Sequence, residues 1–386
     1  MSFVSNKYPA TIQSSKSPKR VLGLDLLRII AMLFIVANHW LGHGLSMTGF
    51  DPSMPHSYFL WFIRGLSYTG TNLFILISSY FLCKSTIQVK HLLSLVCQVL
   101  FYSVTLYWIT YALGLHKATF RGVVESFFPV TLSRYWFITC YIGLYLLSPF
   151  LNKLFAALTS HGHKCLLIVL LLFFSIIPNL VFFSPWLNWG GSCGIVWFVV
   201  LYFIGAYIRY YADIEQLKEN KSRLLMWGAI ICFLPLLSKV IIAKLTLALL
   251  GHVEGSSVFF SNNSILIVPM SIFFFLLFLT IDIKNKWIIS CVEFLAGGVF
   301  SVYLITEDAF IRSILWDGIA LDINPQNVLF PVFFIVGVII IFLSCIFLDL
   351  IRRGVFQICS KTKIPSTIMN LIAPFFNRFY SGISVE

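Results

Sequence analysis

Ten stretches of this 386-residue chain are apolar over lengths that can cross a bilayer, and they constrain its fold more than any other feature. Their approximate spans are 22–43, 59–83, 92–115, 135–156, 165–185, 194–211, 223–250, 264–281, 288–316 and 328–351. A hydrocarbon core about 30 Å thick takes about 20 apolar residues as a helix, and an open sheet edge has no partners there. The fold class expected is an all-α polytopic membrane protein with about ten transmembrane helices. Composition agrees, with 59% apolar and only 11% charged residues. One membrane domain over 21–352 accounts for nearly everything. Before it, residues 1–20 are polar, rich in Ser and Lys, and read as a disordered tail without the apolar core of a signal peptide. After it, residues 353–386 mix Lys363 and Arg378 with aromatic and aliphatic residues, as in an interfacial amphipathic segment.

The net charge of +12 does not point to nucleic acid, because the basic residues are distributed by loop. Lys16, Lys19 and Arg20 precede the first run, Lys84 and Lys90 follow the second, and Arg352 and Arg353 follow the tenth. The alternate connections 44–58, 186–193, 251–263 and 317–327 carry no Lys or Arg. The positive-inside rule then places both termini in the cytoplasm. Residues 116–134 depart from the pattern with Lys117, Arg121 and Arg134 on the outer side. Two readings stand there: stray charges on a well-set topology, or a basic surface facing an anionic or carbohydrate substrate. Nine cysteines lie scattered and form no close metal-type pair, so neither a disulfide framework nor a metal site is expected.

Ionisable groups inside the spans are the functional signal, because a charge in hydrocarbon costs at least a few kcal/mol. The first run, LGLDLLRIIAMLFIVANHWLGH, holds Asp25, Arg28 and His39. Arg28 and His39 are eleven positions apart, so they share a helix face and lie roughly 16 Å apart along its axis. Orientation puts Arg28 in the cytoplasmic half and His39 towards the outside. Arg64, early in the descending second run, lies at a depth similar to His39, where it either lines a site or snorkels to the interface. Lys239 and Lys244 in the seventh run either line a cavity or mark a break at Pro235. Near the outer end of the ninth run, Asp308 and Arg312 stand at i, i+4 and can pair with each other, which leaves Glu307 for a polar site.

Four blocks carry a resemblance. DLLRIIAMLFIVANHW, with ten residues between Arg28 and His39, resembles the first helix of the acyltransferase family 3 membrane proteins. GTNLFILISSYFL (70–82) is similar to that family's second-helix pattern, with Ser79 where Gly is usual. RYWFITCYIGLYLLSPFLNKL (134–154) resembles a block of the polysaccharide O-acetyltransferase branch, and FSVYLITEDAFIR (300–312) its late Tyr-Leu-Ile-His block, with Thr306 where the His is common. The resemblance covers about residues 20–350.

What it implies is a multi-pass bacterial cell-membrane O-acyltransferase. An acetyl group would pass from cytoplasmic acetyl-CoA, the acyl-CoA donor, to a hydroxyl of a cell-surface polysaccharide such as capsule or exopolysaccharide, or of its lipid-linked saccharide precursor. No bound cofactor, metal or nucleic acid is implied; membrane lipids surround the chain. His39 is the expected general base, with Arg28 on the donor side and Glu307 completing the catalytic set in place of the missing late His. Arg64, Arg134, Tyr135, Trp136 and Asp25 are expected to bind substrate, the two aromatic rings by stacking on sugars. The alternative is a polysaccharide exporter or flippase, which would need similar helices and cations but no imidazole at a fixed spacing from a cation.

Overall fold

The computed structural model describes residues 20–45, 56–181, 192–322, 327–362 and 364–383. The polar N-terminal tail, Arg20 apart, lies outside them. The described residues are helical, with no strand among them. The helices are α1 (Leu22–His39), α2 (Ser57–Ser67), α3 (Thr69–Leu82), α4 (Val89–Ala112), α5 (Phe120–Phe127), α6 (Trp136–Ala157), α7 (Ser160–Leu171) and α8 (Ile177–Leu180). They continue with α9 (Ile195–Tyr211), α10 (Ile214–Glu219), α11 (Lys221–Leu250), α12 (Ile267–Leu279), α13 (Lys286–Thr306), α14 (Ala309–Asp322), α15 (Phe330–Ser360) and α16 (Ile364–Tyr380).

Among the described residues seven segments are long and apolar enough to cross a membrane: Leu22–Gly44, Val89–Ala112, Trp136–Ala157, Ser160–Leu180, Lys221–Leu250, Lys286–Thr306 and Phe330–Ser360. The chain is a multi-pass membrane protein. The other three apolar runs take shorter forms. The second is divided at Tyr68 into α2 and α3. The sixth and eighth give α9 and α12, of 17 and 13 residues. Both are rich in buried residues, so neighbouring helices surround much of their length. The ninth run stops at Thr306, ten residues short of its apolar limit, for a reason given below. Pro235 does not break the seventh, because α11 runs unbroken through it.

The first helix is the axis of the bundle. It is the most buried of the seven long segments, packing on α3 and α12 along one side and on α13 and α15 along another. Small residues allow the closest approaches. A Cβ on Gly70 of α3 would stand 2.9 Å from the Ala31 carbonyl oxygen of α1 and 2.8 Å from Ile35 Cγ1. Ser79, where the family that the sequence resembles usually has Gly, is accommodated by its partner: Gly205 of α9 faces it, and a Cβ there would lie 2.7 Å from the serine's own. The Ser79 hydroxyl donates to the Ile75 carbonyl at 2.6 Å, so the added polar group is satisfied within its own helix.

Two measurements follow. Gly70→Val forces α3 away from α1, an overpacking change of about 1–3 kcal/mol, and should lower the melting temperature of the detergent-solubilised protein. For the orientation read from the loops, a tag at Arg20 should be protected in intact cells and one at Gly255 accessible from outside; the reverse pattern would overturn the assignment.

Candidate active site

At the end of α1 the helix widens. Trp40–Gly44 forms a π turn that continues directly from His39. Such turns interrupt the regular ladder and are frequent at functional sites. His39 and His43 lie on this segment with ring centroids 5.8 Å apart. Opposite them α13 ends, and its last residues meet His39 at both ring nitrogens. Thr306 Oγ1 is 3.3 Å from Nδ1, and Glu307 Oε2 is 3.2 Å from Nε2. The Thr306 hydroxyl donates its own hydrogen to the Val302 carbonyl at 2.8 Å. Its oxygen, like the Glu307 carboxylate, is an acceptor, so each ring nitrogen of His39 faces an acceptor and the proton of the neutral imidazole has a partner at either position. The same carboxylate has His43 Nε2 at 3.7 Å and Arg312 Nη1 at 3.5 Å.

Glu307 is placed there by the residue after it. Asp308 is fully buried and accepts from the backbone N–H groups of Phe310 at 3.0 Å and Ile311 at 3.3 Å, which makes it the N-terminal cap of α14. The cap ends α13 and turns the chain. It corrects the i, i+4 pairing expected from sequence: Arg312 reaches Glu307, whereas Asp308 is met by Tyr135 Oη at 2.9 Å and Arg134 Nη2 at 3.3 Å. Trp316 of α14 then folds back and donates from Nε1 to the Thr306 carbonyl at 3.3 Å.

These groups border a cavity of about 280 Å³. Its polar wall has Asn38, His39 and His43 from the first helical segment, Ser67, Tyr68 and Thr71 from the joint between α2 and α3, Tyr303 from α13, and Glu307, the residue that caps its end. Phe74, Trp136, Phe137 and Phe300 supply an aromatic wall. Asn262 also lines it, held by α3: Asn72 donates to the Asn262 carbonyl at 2.7 Å and accepts from Trp197 Nε1 at 3.0 Å. Among the described residues Asn38 Oδ1 is buried without a hydrogen-bond partner, as a group that receives a substrate donor would be.

The structure divides the residues predicted from sequence. His39, Glu307 and Trp136 meet at the cavity. Tyr135 is fully buried and the Arg134 side chain is 5% exposed, so both are turned to Asp308 instead of to a sugar. Asp25 is likewise internal, 4% exposed and bonded to both Arg28 Nη1 and Arg20 Nε at 2.5 Å. Arg28, over Phe81, therefore stays at the far end of α1 as a neutralised cation. Arg64 packs near Tyr68. Sequence reasoning missed His43, Asn38, Asn72 and Arg312 as a Glu307 partner. His43 was within reach, one turn after His39; the asparagines carry no local signal. Among the described residues no group of three His, Cys, Asp or Glu side chains could hold a metal ion.

The family model described as an acyltransferase domain matches residues 21–350. The chain belongs to acyltransferase family 3. This membrane acyltransferase matches no curated protein and no solved structure. The match takes in every residue of the cavity wall and the whole Asp308 anchor.

Asp308→Ala leaves the Arg134 guanidinium buried without its carboxylate and uncaps α14. Removing one partner of a buried pair costs about 3–5 kcal/mol, so the purified protein should lose most of its thermal stability margin. Asp308→Asn, which keeps the cap but not the charge, should lie between the two in a thermal melt.

Proposed function

We propose that this acyltransferase moves an acetyl group from cytoplasmic acetyl-CoA to a hydroxyl of a bacterial cell-surface polysaccharide or its lipid-linked precursor, with His39 as general base. The observation that carries this reading is the placed imidazole: Nδ1 3.3 Å from the Thr306 hydroxyl and Nε2 3.2 Å from Glu307, at the wall of an aromatic-lined cavity. A sugar hydroxyl is a poor nucleophile near neutral pH. Neutral His39 accepts its proton at Nε2 as the oxygen attacks the thioester carbonyl carbon. Collapse of the tetrahedral intermediate breaks the C–S bond, and the imidazolium gives the same proton to the departing CoA thiolate. Glu307 stabilises the imidazolium while it exists, the part that a carboxylate plays beside a catalytic histidine. Arg312 and His43 keep that carboxylate ionised and aimed.

The two ends of α1 divide the work. The cavity reaches from His39 inward to Met32, and Arg28 lies one further turn towards the other end. An extended donor lying along the helix would bring its thioester to His39 from the cytoplasmic side. The acceptor would enter beside Trp136 and Tyr68, with Asn38 to receive one of its hydroxyls. A flippase would have no use for a histidine placed between a hydroxyl and a carboxylate.

The test compares cells carrying wild-type protein, His39→Ala and Glu307→Gln, measuring ester-linked acetate on surface polymer by NMR together with polymer yield. His39→Ala should remove the ester while export continues. Glu307→Gln should lower the transfer rate about 10²-fold or more. Unchanged ester in the His39 variant sinks the mechanism, and polymer retained inside the cell favours export.

A further inference from the structure

Among the described residues several arginines in the bundle are neutralised by carboxylates, while others, among them Arg209 on Tyr80, are not, and one of the cations without a carboxylate stands beside the active site. Arg28 has Asp25, Arg134 has Asp308, and Arg352 and Arg353 share Asp349. Arg64 has no carboxylate among the described residues within ion-pair reach. Its guanidinium rests 5.7 Å from the centre of the Tyr68 ring, and Nη1 is buried without a hydrogen-bond partner among the described residues. It does not snorkel. It is tucked against the π turn at Gly42, where a Cβ would stand 3.5 Å from Nη1 and 3.8 Å from Nη2. Gly42 is three residues after His39, about 4.5 Å along the axis, and is directly followed by His43. On its own helix Arg64 precedes Ser67 and Tyr68, both on the cavity wall, by one turn.

A second cation reinforces the field. Lys239 of α11 is fully buried, with its Nζ 3.4 Å from the centre of the Trp61 ring and hydrogen-bonded to Ser257 Oγ at 2.7 Å and Ser256 Oγ at 3.3 Å. Hydroxyls and a ring face satisfy its N–H groups without neutralising its charge. Trp61 and Arg64 lie one turn apart on α2, so two cations without carboxylates flank the same helix. An unneutralised guanidinium inside a membrane protein is costly, and the donors left over on it match the paired oxygens of a carboxylate or phosphate.

Building on the acyl-transfer reading, we propose that the acceptor is anionic and that Arg64 holds its negative group beside the hydroxyl that is acylated. Two sources share that chemistry: the carboxylate of an acidic sugar, and the pyrophosphate of a lipid-linked saccharide. Arg64 is then a specificity residue. It fixes which hydroxyl reaches His39 by anchoring the charge next to it, and a neutral glycan would leave its buried N–H groups without partners.

The experiment has two arms. In cells, ester content is compared for wild type, Arg64→Gln and Arg64→Lys, and the ester is located on the polymer and on its lipid-linked precursor. Arg64→Gln should lower the ester at least tenfold and Arg64→Lys should restore part of it. An ester on or next to an acidic sugar assigns the carboxylate source; an ester on a neutral saccharide already present on the lipid-linked precursor assigns the pyrophosphate. In the second arm, purified full-length protein in lipid nanodiscs is titrated calorimetrically with inorganic pyrophosphate, digalacturonate and the neutral disaccharide lactose. At least one anion should bind, with a Kd raised tenfold or more by Arg64→Gln, while lactose is indifferent to the substitution. Wild-type ester in Arg64→Gln overturns the proposal, as does an ester confined to a neutral polymer and absent from the precursor, or a loss of ester in Arg64→Gln with no anion binding that depends on Arg64. The two readings fail separately. Ester unchanged in His39→Ala, with Arg64-dependent anion binding intact, removes the acyl transfer and leaves the anion site; His39-dependent ester that ignores Arg64 removes the anion site alone.

Discussion

The Asp308 carboxylate is buried where water cannot reach it, and the structure around the cavity is arranged to satisfy it. Two backbone N–H groups of α14, the Tyr135 hydroxyl and the Arg134 guanidinium all converge on it. Those partners come from two stretches of chain far apart in sequence, the first turn of α14 and the two residues that lead into α6. A buried charge with that many partners fixes where α13 must stop, since the capping geometry cannot be continued as helix. Stopping there presents Glu307 and Thr306 together to one imidazole. The meeting of Glu307 and Thr306 with His39 is thus a by-product of how a neighbouring charge is neutralised.

The same economy explains the packing of α1. A helix with Asp25, Arg28 and His39 can lie in a membrane only if protein surrounds it, because lipid offers no partner to any of the three. Small residues on neighbouring helices let them close on it: Gly70 of α3 faces it directly, and Gly205 of α9 then brings the next helix against α3. Asp25 is answered at one end by Arg28 and Arg20, and His39 at the other by α13. Between those ends the helix surface is apolar, and part of it forms the cavity wall through Met32 and Ile35. Charge at both ends and an apolar middle suit a ligand that is itself polar at its two ends.

Much of this was legible in the residues. The apolar runs gave the all-helical membrane class, and the Arg28–His39 spacing with its accompanying blocks gave the family. Glu307 was separated from its neighbours as the group left over near a site. Legibility failed wherever the answer depended on a partner remote in sequence. Arg134 and Tyr135 read as outward-facing groups at a helix boundary, which is where sugar-binding residues and interfacial aromatics both occur; nothing local reveals that Asp308, more than 170 positions later, claims them. Arg312 was assigned to Asp308 by helical periodicity, and α14 does run from its Asp308 cap through Arg312, but the carboxylate is taken up by its own cap bonds and by Tyr135 and Arg134. Thr306 looked like the loss of a catalytic group, and it proves to be a partner for His39 Nδ1.

What the sequence determined by itself follows from solvent transfer: apolar segments long enough for a bilayer become helices within it, and polar side chains on them need company. Those are one-body properties, set by composition over a window of residues. Which company each polar group keeps is a many-body property. It depends on where helices end, how closely they approach and which of several buried charges reaches a given partner first. Only the tertiary structure decided that His39 meets Thr306 and Glu307, that Asp25 neutralises Arg28, and that Arg64 stands beside the site without a carboxylate, because each outcome is fixed by competition among groups separated by most of the chain.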